Sequence, residues 1–301
     1  LAHLGKATER GERLACMITV RGPIEVRVRD DVLSSRELRC RVRSARSITT
    51  YLRELVFELP SDADLQFEAG GYVLVEAPPG VTRFADFEID AAYRSEWEHA
   101  GLFDLSTVRD QTEVRAYSLA NAPSEHEVRL VVRVSPPPVG APPDTPAGKV
   151  SSHLFALTEG DEVTVSGPYG EFRANESSAE MIFVGGGAGI APLRSIVLDQ
   201  LKAKRTTRKL SFWYGARNET EICYADEFDA LAEQHDNFEW TVALSDAAVS
   251  TEWCGERGFI HAILDERYLA EHPAPEQAEY YICGPPLMTS AVLALLEDLG
   301  V

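Results

Sequence analysis

The spacing of hydrophobic residues divides the chain into two parts with different periods. From residue 38 to residue 175, short runs alternate apolar and polar positions, and turns with glycine or proline separate them. A period of two is typical of strands that bury one face, and many short strands between such turns indicate an antiparallel barrel or sandwich. The runs that we predict as strands are residues 38–43, 52–59, 72–77, 113–119, 128–134 and 162–166.

Beyond residue 175, buried-type strands alternate with segments of helical period. This alternation is typical of a doubly wound parallel sheet. The predicted strands are residues 181–184, 209–214, 238–244 and 280–283, and the predicted helices are 192–203, 226–235, one that begins within 258–263, and 286–299. We therefore expect a β-barrel domain over residues 35–176 and an α/β domain over residues 177–301.

Three stretches depart from these patterns. Residues 84–104 carry five aromatic side chains among acidic ones, and we predict a partly helical insertion there. Residues 136–146 contain six prolines, which predicts a stiff surface loop. Residues 1–34 form a short basic segment in which the alternation over residues 24–28 predicts one strand.

Composition narrows the class of protein. The net charge of −19 argues against a nucleic-acid partner, because binding to phosphates needs a basic face. Five cysteines, an odd number without a CxxC pair, indicate a reducing compartment and argue against a zinc site. No run approaches the roughly 18 apolar residues of a membrane span, so we expect this chain to be soluble.

Residues 115–118 read Arg-Ala-Tyr-Ser at the end of a predicted barrel strand. A guanidinium binds a diphosphate with two hydrogen bonds, a tyrosine ring offers a stacking face, and a serine hydroxyl bonds a ring nitrogen. Residues 148–155 begin Gly-Lys-Val-Ser-Ser, where Ser151 or Ser152 is placed to cap a short helix whose free N–H groups bind an anion. Taken alone, the first motif is more typical of sheet packing, and the second of an ordinary helix cap, than of a cofactor site.

Two glycine-containing motifs follow predicted strands of the second part. Residues 185–192 read Gly-Gly-Gly-Ala-Gly-Ile-Ala-Pro between a strand and a helix, where backbone N–H groups can approach a phosphate. The turn lacks the Gly-Lys-Ser/Thr of a P-loop and the third glycine of the strict dinucleotide motif. Residues 283–286 read Cys-Gly-Pro-Pro at the end of another strand, which is where ligands bind in open α/β sheets.

As an ordered set, these motifs resemble the ferredoxin–NADP reductase superfamily over residues 38–301. The resemblance implies an antiparallel FAD-binding β-barrel followed by a doubly wound parallel-sheet NADH-binding domain. Within the superfamily, the chain is more specifically similar to the F subunits of sodium-translocating NADH:quinone reductases. The residues that carry this closer similarity are 69–72, 76–79, 211–217 and 258–261.

The resemblance also implies roles for individual residues. For FAD, Arg115 would bind the diphosphate, Tyr117 would stack on the isoalloxazine ring and Ser118 would lie near N5. The other expected FAD contacts are Ala116, Val131, Arg133, Gly148, Lys149, Val150, Ser151 and Ser152. For NADH, the expected contacts are Gly186, Gly187, Ala188, Gly189, Pro192, Arg217, Cys283, Gly284 and Pro285. Ser118 and Cys283 are the expected catalytic residues.

Residues 1–34 resemble the end of a [2Fe-2S] ferredoxin-like domain, in which Cys16 matches the last of four cluster ligands. The other three ligands do not occur in this chain, so a cluster is expected only in a longer protein. The resemblance further implies an iron–sulfur electron acceptor and membrane components of a respiratory complex as partners. It places the longer protein at the cytoplasmic face of the bacterial inner membrane.

The expected reaction is hydride transfer from NADH to FAD, followed by single-electron transfer to a [2Fe-2S] centre. Glu219 and Glu221 follow Arg217 closely and would repel the 2′-phosphate of NADPH, which favours NADH. One alternative is the reductase component of a soluble multi-component oxygenase, although the aromatic insertion argues against it. A second alternative is a flavin-binding assembly module without catalytic activity.

Overall fold

The computed structural model describes Gly22 and residues 35–138, 140–142, 145–246 and 250–301. Contacts within the chain define two units, Leu1–Ser34 and Ser35–Val301. The predicted strand at residues 24–28 and the predicted cluster ligand Cys16 lie outside the described residues. The second unit contains a barrel lobe, residues 35–170, and an α/β lobe, residues 181–301.

The barrel lobe consists of short antiparallel strands. In chain order they are β1 (Arg36–Ser47), β2 (Leu52–Glu58), β3 (Tyr72–Ala77), β4 (Gly80–Arg83), β5 (Ser106–Arg109), β6 (Glu113–Ser118), β7 (Val128–Arg133) and β8 (Glu162–Tyr169). Six of them form one sheet in the order β6-β3-β8-β1-β2-β7, and β4 pairs with β5 in a separate ribbon. The edge strands meet where Leu119 and Leu130 form an antiparallel bridge, which closes the sheet.

Alternation along the strands builds the core of the barrel lobe. In β1, for example, Leu38, Cys40 and Val42 are buried while the residues between them are exposed. Successive side chains of a strand point to opposite faces of the sheet. The apolar positions of the alternation therefore lie together on the buried face. The six strands of the closed sheet are those that the sequence predicts, with ends that differ by a few residues.

The aromatic insertion packs against the core of the barrel lobe. Its helix α1 (Ala91–His99) begins at Asp90, whose carboxylate accepts a hydrogen bond from the Ala92 N–H. Trp97 is fully buried, and its indole N–H donates to the Thr50 carbonyl at 2.6 Å. The partly helical insertion is therefore confirmed, and its indole is held to the β1–β2 turn.

The remaining barrel helix is α2 (Lys149–Ala156), which follows the proline-rich loop. Gly148 is its N-cap, and no side chain caps the helix. Ser151 and Ser152 lie inside α2, and both hydroxyls donate to the Gly148 carbonyl, at 3.1 and 2.7 Å. The prediction that one of these serines caps the helix is therefore wrong, because each bonds backward to a carbonyl instead.

The α/β lobe is a parallel sheet with helices between its strands. Its elements are β9 (Met181–Gly186), α3 (Ile190–Leu198), β10 (Leu210–Ala216), α4 (Ala225–Gln234), β11 (Phe238–Leu244), β12 (Glu256–Arg257), α5 (Ile260–Arg267), β13 (Glu279–Cys283) and α6 (Pro286–Asp298). The strand order is β12-β11-β10-β9-β13, so the direction of winding reverses beside β9. The predicted fold class, an antiparallel barrel followed by a doubly wound parallel sheet, is confirmed.

Among the described residues, none of the helices has the length and apolar character needed to cross a bilayer.

Candidate functional site

The strand with the Arg-Ala-Tyr-Ser motif, β6, lies at one edge of the barrel sheet. It pairs with β3, where Ser118 lies opposite Tyr72 and Arg115 lies opposite Val75. The ring of Tyr117 packs against the barrel core, and burial raises the pKa of its hydroxyl above the ordinary value. Tyr117 is therefore a neutral aromatic surface in a fixed place at physiological pH.

The beginning of α2 lies against the same strand. Lys149 donates from Nζ to Glu113 Oε1 at 2.7 Å, and the Arg115 guanidinium lies 3.7 Å from the same carboxylate. The hydrogen bond from Lys149 holds the pKa of the Glu113 carboxyl below its ordinary value. Two cations and the uncapped first turn of α2 thus surround one small region, which suits an anion.

The other predicted FAD contacts divide into two groups. Ala116 is exposed on β6, and Gly148, Val150, Ser151 and Ser152 belong to the beginning of α2. Val131 and Arg133 lie instead on β7, the strand that closes the barrel. Val131 is buried in a cluster with Leu52 and with residues of the α/β lobe, while Arg133 is exposed.

The glycine-rich turn lies at the carboxyl edge of the parallel sheet. Residues Gly187–Gly189 form one 3₁₀ turn between β9 and α3, and Gly187 has a φ of +53°, a conformation that favours glycine. A Cβ atom added to Gly187 would meet nothing within 4 Å. One added to Gly189 would lie 2.1 Å from the Cys283 carbonyl oxygen. The turn is therefore open at Gly187 and closely packed at Gly189.

The Cys-Gly-Pro-Pro segment lies next to that turn, because the two segments follow the neighbouring strands β13 and β9. Cys283 pairs with Gly185 in parallel register at the end of β13. A Cβ atom on Gly284 would lie 3.0 Å from the Gly186 nitrogen, so the two loops are in backbone contact. This is the point where the strand order reverses, and open α/β sheets bind ligands at such a crevice. Burial raises the pKa of the Cys283 thiol, which keeps it protonated and neutral.

Sequence reasoning missed Tyr214, which lies directly beneath the glycine-rich turn. Its fully buried hydroxyl lies 3.4 Å from the Gly187 carbonyl oxygen and 3.2 Å from the Cys223 sulfur. In the sequence, Tyr214 is one of several apolar residues in a buried strand, so nothing marked its hydroxyl. Sequence reasoning also missed Tyr72, whose ring lies beside that of Tyr169 at 5.5 Å between centroids, opposite Ser118.

Arg217 follows β10 at the same edge of the sheet. Its guanidinium donates to Glu221 at 2.7 Å and lies over the Tyr51 ring, 5.1 Å from the ring centroid. Tyr51 in turn donates to Glu96 at 2.8 Å. Arg217 is thus held by a carboxylate and by an aromatic ring of the barrel lobe.

No group of three or more His, Cys, Asp or Glu side chains within the described ranges is arranged to hold a metal ion.

Comparisons with known proteins define the class. The protein-family model of an oxidoreductase FAD-binding domain matches residues 99–174. The family model of an oxidoreductase NAD-binding domain matches residues 183–293. A cytochrome P450 reductase of Amycolatopsis is similar in structure, with a TM-score of 0.66 and 26% identity over 88% of this chain and 66% of that one. The FAD/NAD-binding domain of a nitric oxide dioxygenase from Vibrio cholerae gives a TM-score of 0.65 at 24% identity, over 88% of this chain and 94% of that one. The chain is an oxidoreductase with FAD- and NAD-binding domains of the ferredoxin reductase type.

A curated relative identifies the family. The F subunit of the Na(+)-translocating NADH-quinone reductase of Idiomarina loihiensis is 46% identical over 305 aligned residues, which cover all of this chain and 74% of that protein. The chain belongs to the family of F subunits of Na(+)-translocating NADH-quinone reductases.

Proposed function

We propose that this chain takes a hydride from NADH and passes single electrons to a [2Fe-2S] centre, as the electron-input component of a sodium-translocating NADH:quinone reductase. The observation that carries the proposal is the contact between the glycine-rich turn and the Cys283–Gly284 backbone at the switch point of the sheet. The open space at Gly187 and the cations around Glu113 fit a dinucleotide and a flavin diphosphate. Bound FAD would supply a two-electron acceptor that releases electrons singly.

The barrel lobe would bind the FAD. Arg115 and Lys149 would hold the diphosphate, together with the first-turn N–H groups of α2, since both cations already converge there. Tyr117 would contact the isoalloxazine ring, and the Ser118 hydroxyl would donate near N5. The remaining contacts of this FAD site would be Ala116, Val131, Arg133, Gly148, Val150, Ser151 and Ser152.

The α/β lobe would bind NADH at its carboxyl edge. The turn from Gly186 to Gly189 and the start of α3 with Pro192 would hold the diphosphate. Cys283, with Gly284 and Pro285, would lie beside the nicotinamide, where a neutral thiol offers a soft and uncharged surface. Hydride transfer needs no proton donor at the reacting carbon, so these residues would act by orientation alone.

The surroundings of Arg217 support NADH rather than NADPH as the donor. Arg217 is already bonded to Glu221, and Glu219 lies in the same 3₁₀ turn. A 2′-phosphate placed there would be repelled by the carboxylates of Glu219 and Glu221. The nearby cation, Arg217, already forms an ion pair with Glu221. We therefore expect the rate with NADPH to be far below the rate with NADH.

The acceptor side of the proposal draws on the relatives. Their name describes an NADH-quinone reductase that translocates Na(+). By this likeness, the partners of our chain would be an iron–sulfur domain and membrane components of the complex, at the cytoplasmic face of the inner membrane. The similarity to a cytochrome P450 reductase favours a second candidate, the reductase of an oxygenase system. The 46% identity to an F subunit outweighs it.

Three substitutions test the assignment of residues. Tyr117→Ala and Ser118→Ala should weaken FAD retention or slow flavin reduction, because each removes a contact to the ring. Cys283→Ala should keep FAD but slow flavin reduction by NADH. Cys254→Ala is the matched control, because Cys254 is an exposed thiol of the same lobe. Parental FAD content together with parental rates of flavin reduction in all three site variants, measured by stopped flow, would refute the assignment.

A further inference from the structure

Helix α3 begins at the predicted NADH turn, and two of its polar side chains form hydrogen bonds to the barrel lobe. The Arg194 guanidinium donates to the Ala120 carbonyl at 2.5 Å, and the Ser195 hydroxyl donates to the Asn121 carbonyl at 2.7 Å. The Gly70 N–H donates to the Ser195 oxygen at 3.3 Å. Arg194 is 4% exposed and Ser195 is fully buried, so water does not compete for these bonds.

Arg194 is also fixed from its other side. It makes two hydrogen bonds to the Glu227 carboxylate on α4, at 2.6 and 2.8 Å. Its guanidinium lies over the Tyr224 ring, 4.9 Å from the centroid. The Tyr224 hydroxyl donates to Glu54 of the barrel strand β2 at 2.6 Å. Arg194 is therefore held in one geometry by groups from both lobes.

These bonds join the two cofactor sites by a very short path along the chain. Arg194 lies two residues after Pro192, in the helix whose beginning would hold the NADH diphosphate. Ala120 lies two residues after Ser118, in the segment that leaves the flavin strand. Two residues span at most about 7 Å, so a shift at the bond transmits directly to both sites. Misplacement of reacting atoms by about 1 Å can cost roughly 100-fold in rate.

We propose that Arg194 and Ser195 are positioning residues for hydride transfer, which align the nicotinamide on α3 with the flavin on β6. This inference rests on the proposed function. Both side chains are buried, so they would act through the packing of the two lobes and not by contact with a reacting ring. They fix the angle between the two lobes through the Ala120 and Asn121 carbonyls.

The test compares Arg194→Lys and Ser195→Ala with the parent chain loaded with FAD. Lysine keeps the positive charge but lacks the guanidinium fork that reaches Ala120 and Glu227 together. Ser195→Ala removes one oxygen. We expect the rate of flavin reduction at saturating NADH to fall at least tenfold in both variants, while the dissociation constant for NADH and the FAD content stay within twofold. The long-wavelength charge-transfer absorbance between the reduced flavin and NAD⁺ should weaken, because it reports the stacking of the rings.

Arg208→Lys provides a matched control. The Arg208 side chain is also largely buried, and it donates to the Ala179 and Asn175 carbonyls, at 2.5 and 3.0 Å, and to Glu279 at 2.5 Å. It lies at the amino ends of the strands, the edge opposite the crevice. This variant should lose thermal stability but keep the parental limiting rate and charge-transfer band.

Parental rates and charge-transfer bands in both variants would overturn the inference. So would an equal loss in Arg208→Lys, because the effect would then be one of general stability. If Arg194→Lys does not fold, the limiting rate and the charge-transfer band of Ser195→Ala alone test the inference. A parent whose bound flavin is not reduced by NADH would refute the proposed function itself, and this outcome is seen without any variant.

Discussion

At the scale of single residues, Glu113 is an anion within a predicted anion site. It accepts a hydrogen bond from Lys149 and lies beside Arg115, so it balances both cations before any diphosphate arrives. The sequence marked the two cations through the motifs but gave Glu113 no role. A contact between a residue of β6 and one of α2, 36 positions apart, is not visible in either motif.

We predict that Glu113→Gln binds FAD more tightly than the parent, by a few-fold at low ionic strength, because one negative charge beside the diphosphate is removed. The gain should shrink as salt is added. Titration of the apoprotein with FAD at two salt concentrations measures both effects. Glu162→Gln, at an exposed ion pair with Arg41 on the same barrel, should leave FAD affinity unchanged. Weaker FAD binding by Glu113→Gln would contradict the prediction.

At the scale of elements, the period of the sequence predicted the six barrel strands and all but the shortest strand of the parallel sheet. It failed where an element is too short to show a period, as in β4, β5 and the two-residue β12. It also failed for the serines of α2, because a Ser near a helix start can cap N–H groups or bond backward to a carbonyl. Which of these two hydrogen bonds the serine makes depends on the residue at which the helix begins.

Helix α2 also carries a histidine that burial keeps neutral. Burial, together with the nearby charge of Arg109, lowers the pKa of His153 to about 4 from an ordinary 6.5. Between these two values the unfolded chain takes up a proton that the folded chain refuses, so the free energy of unfolding falls as pH decreases. Between pH 7.5 and pH 5 this linkage costs about 2 kcal/mol.

From pH 7.5 to pH 5, we therefore predict that the free energy of unfolding falls by about 2 kcal/mol less in His153→Gln than in the parent. Urea unfolding at pH 7.5, 6.5 and 5 measures the difference. His99→Gln, at an exposed position at the end of α1, should follow the parent. Parallel pH profiles for the parent and His153→Gln would show that His153 is protonated in the folded chain.

At the scale of the whole molecule, a buried carboxylate joins the two lobes. Glu54 of β2 accepts hydrogen bonds from Tyr224 of the α/β lobe at 2.6 Å and from Arg129 and Arg46 of the barrel at 2.9 and 2.8 Å. Burial would raise the pKa of this carboxyl, but these partners outweigh it and hold the pKa below the ordinary 4.5. The stability that Glu54 contributes is therefore complete above pH 4.5 and is lost as the pH falls through its lowered pKa.

We predict that Glu54→Gln destabilises the chain at pH 7 by about 2 kcal/mol, because it removes charge-assisted hydrogen bonds to Arg46, Arg129 and Tyr224. Arg129 keeps its second buried partner, Glu127. The difference from the parent should narrow as the pH falls below 4.5, where the parental carboxyl also becomes neutral. Thermal unfolding at pH 7 and at acid pH tests both statements. A deficit that is constant with pH would mean that the charge of Glu54 contributes nothing.

The ordered motifs predicted the class of fold and its two lobes, and the family comparison agrees with the resemblance. The junction between the lobes was not predictable. Arg194, Ser195, Glu54 and Tyr224 are separated by up to 170 positions, and each is an ordinary polar residue in its own segment. Their meeting depends on how the two sheets pack, which no local pattern records.

We propose that electrons pass from NADH bound by the α/β lobe to FAD bound by the barrel lobe. The most direct measurement is anaerobic stopped-flow mixing of the FAD-loaded chain with NADH, followed by the yellow flavin absorbance. We expect the absorbance to bleach in a single-turnover reaction whose rate saturates with NADH, and we expect NADPH to be a poor substitute. A well-folded chain that binds no FAD, or whose flavin stays oxidised at saturating NADH, would contradict this proposal.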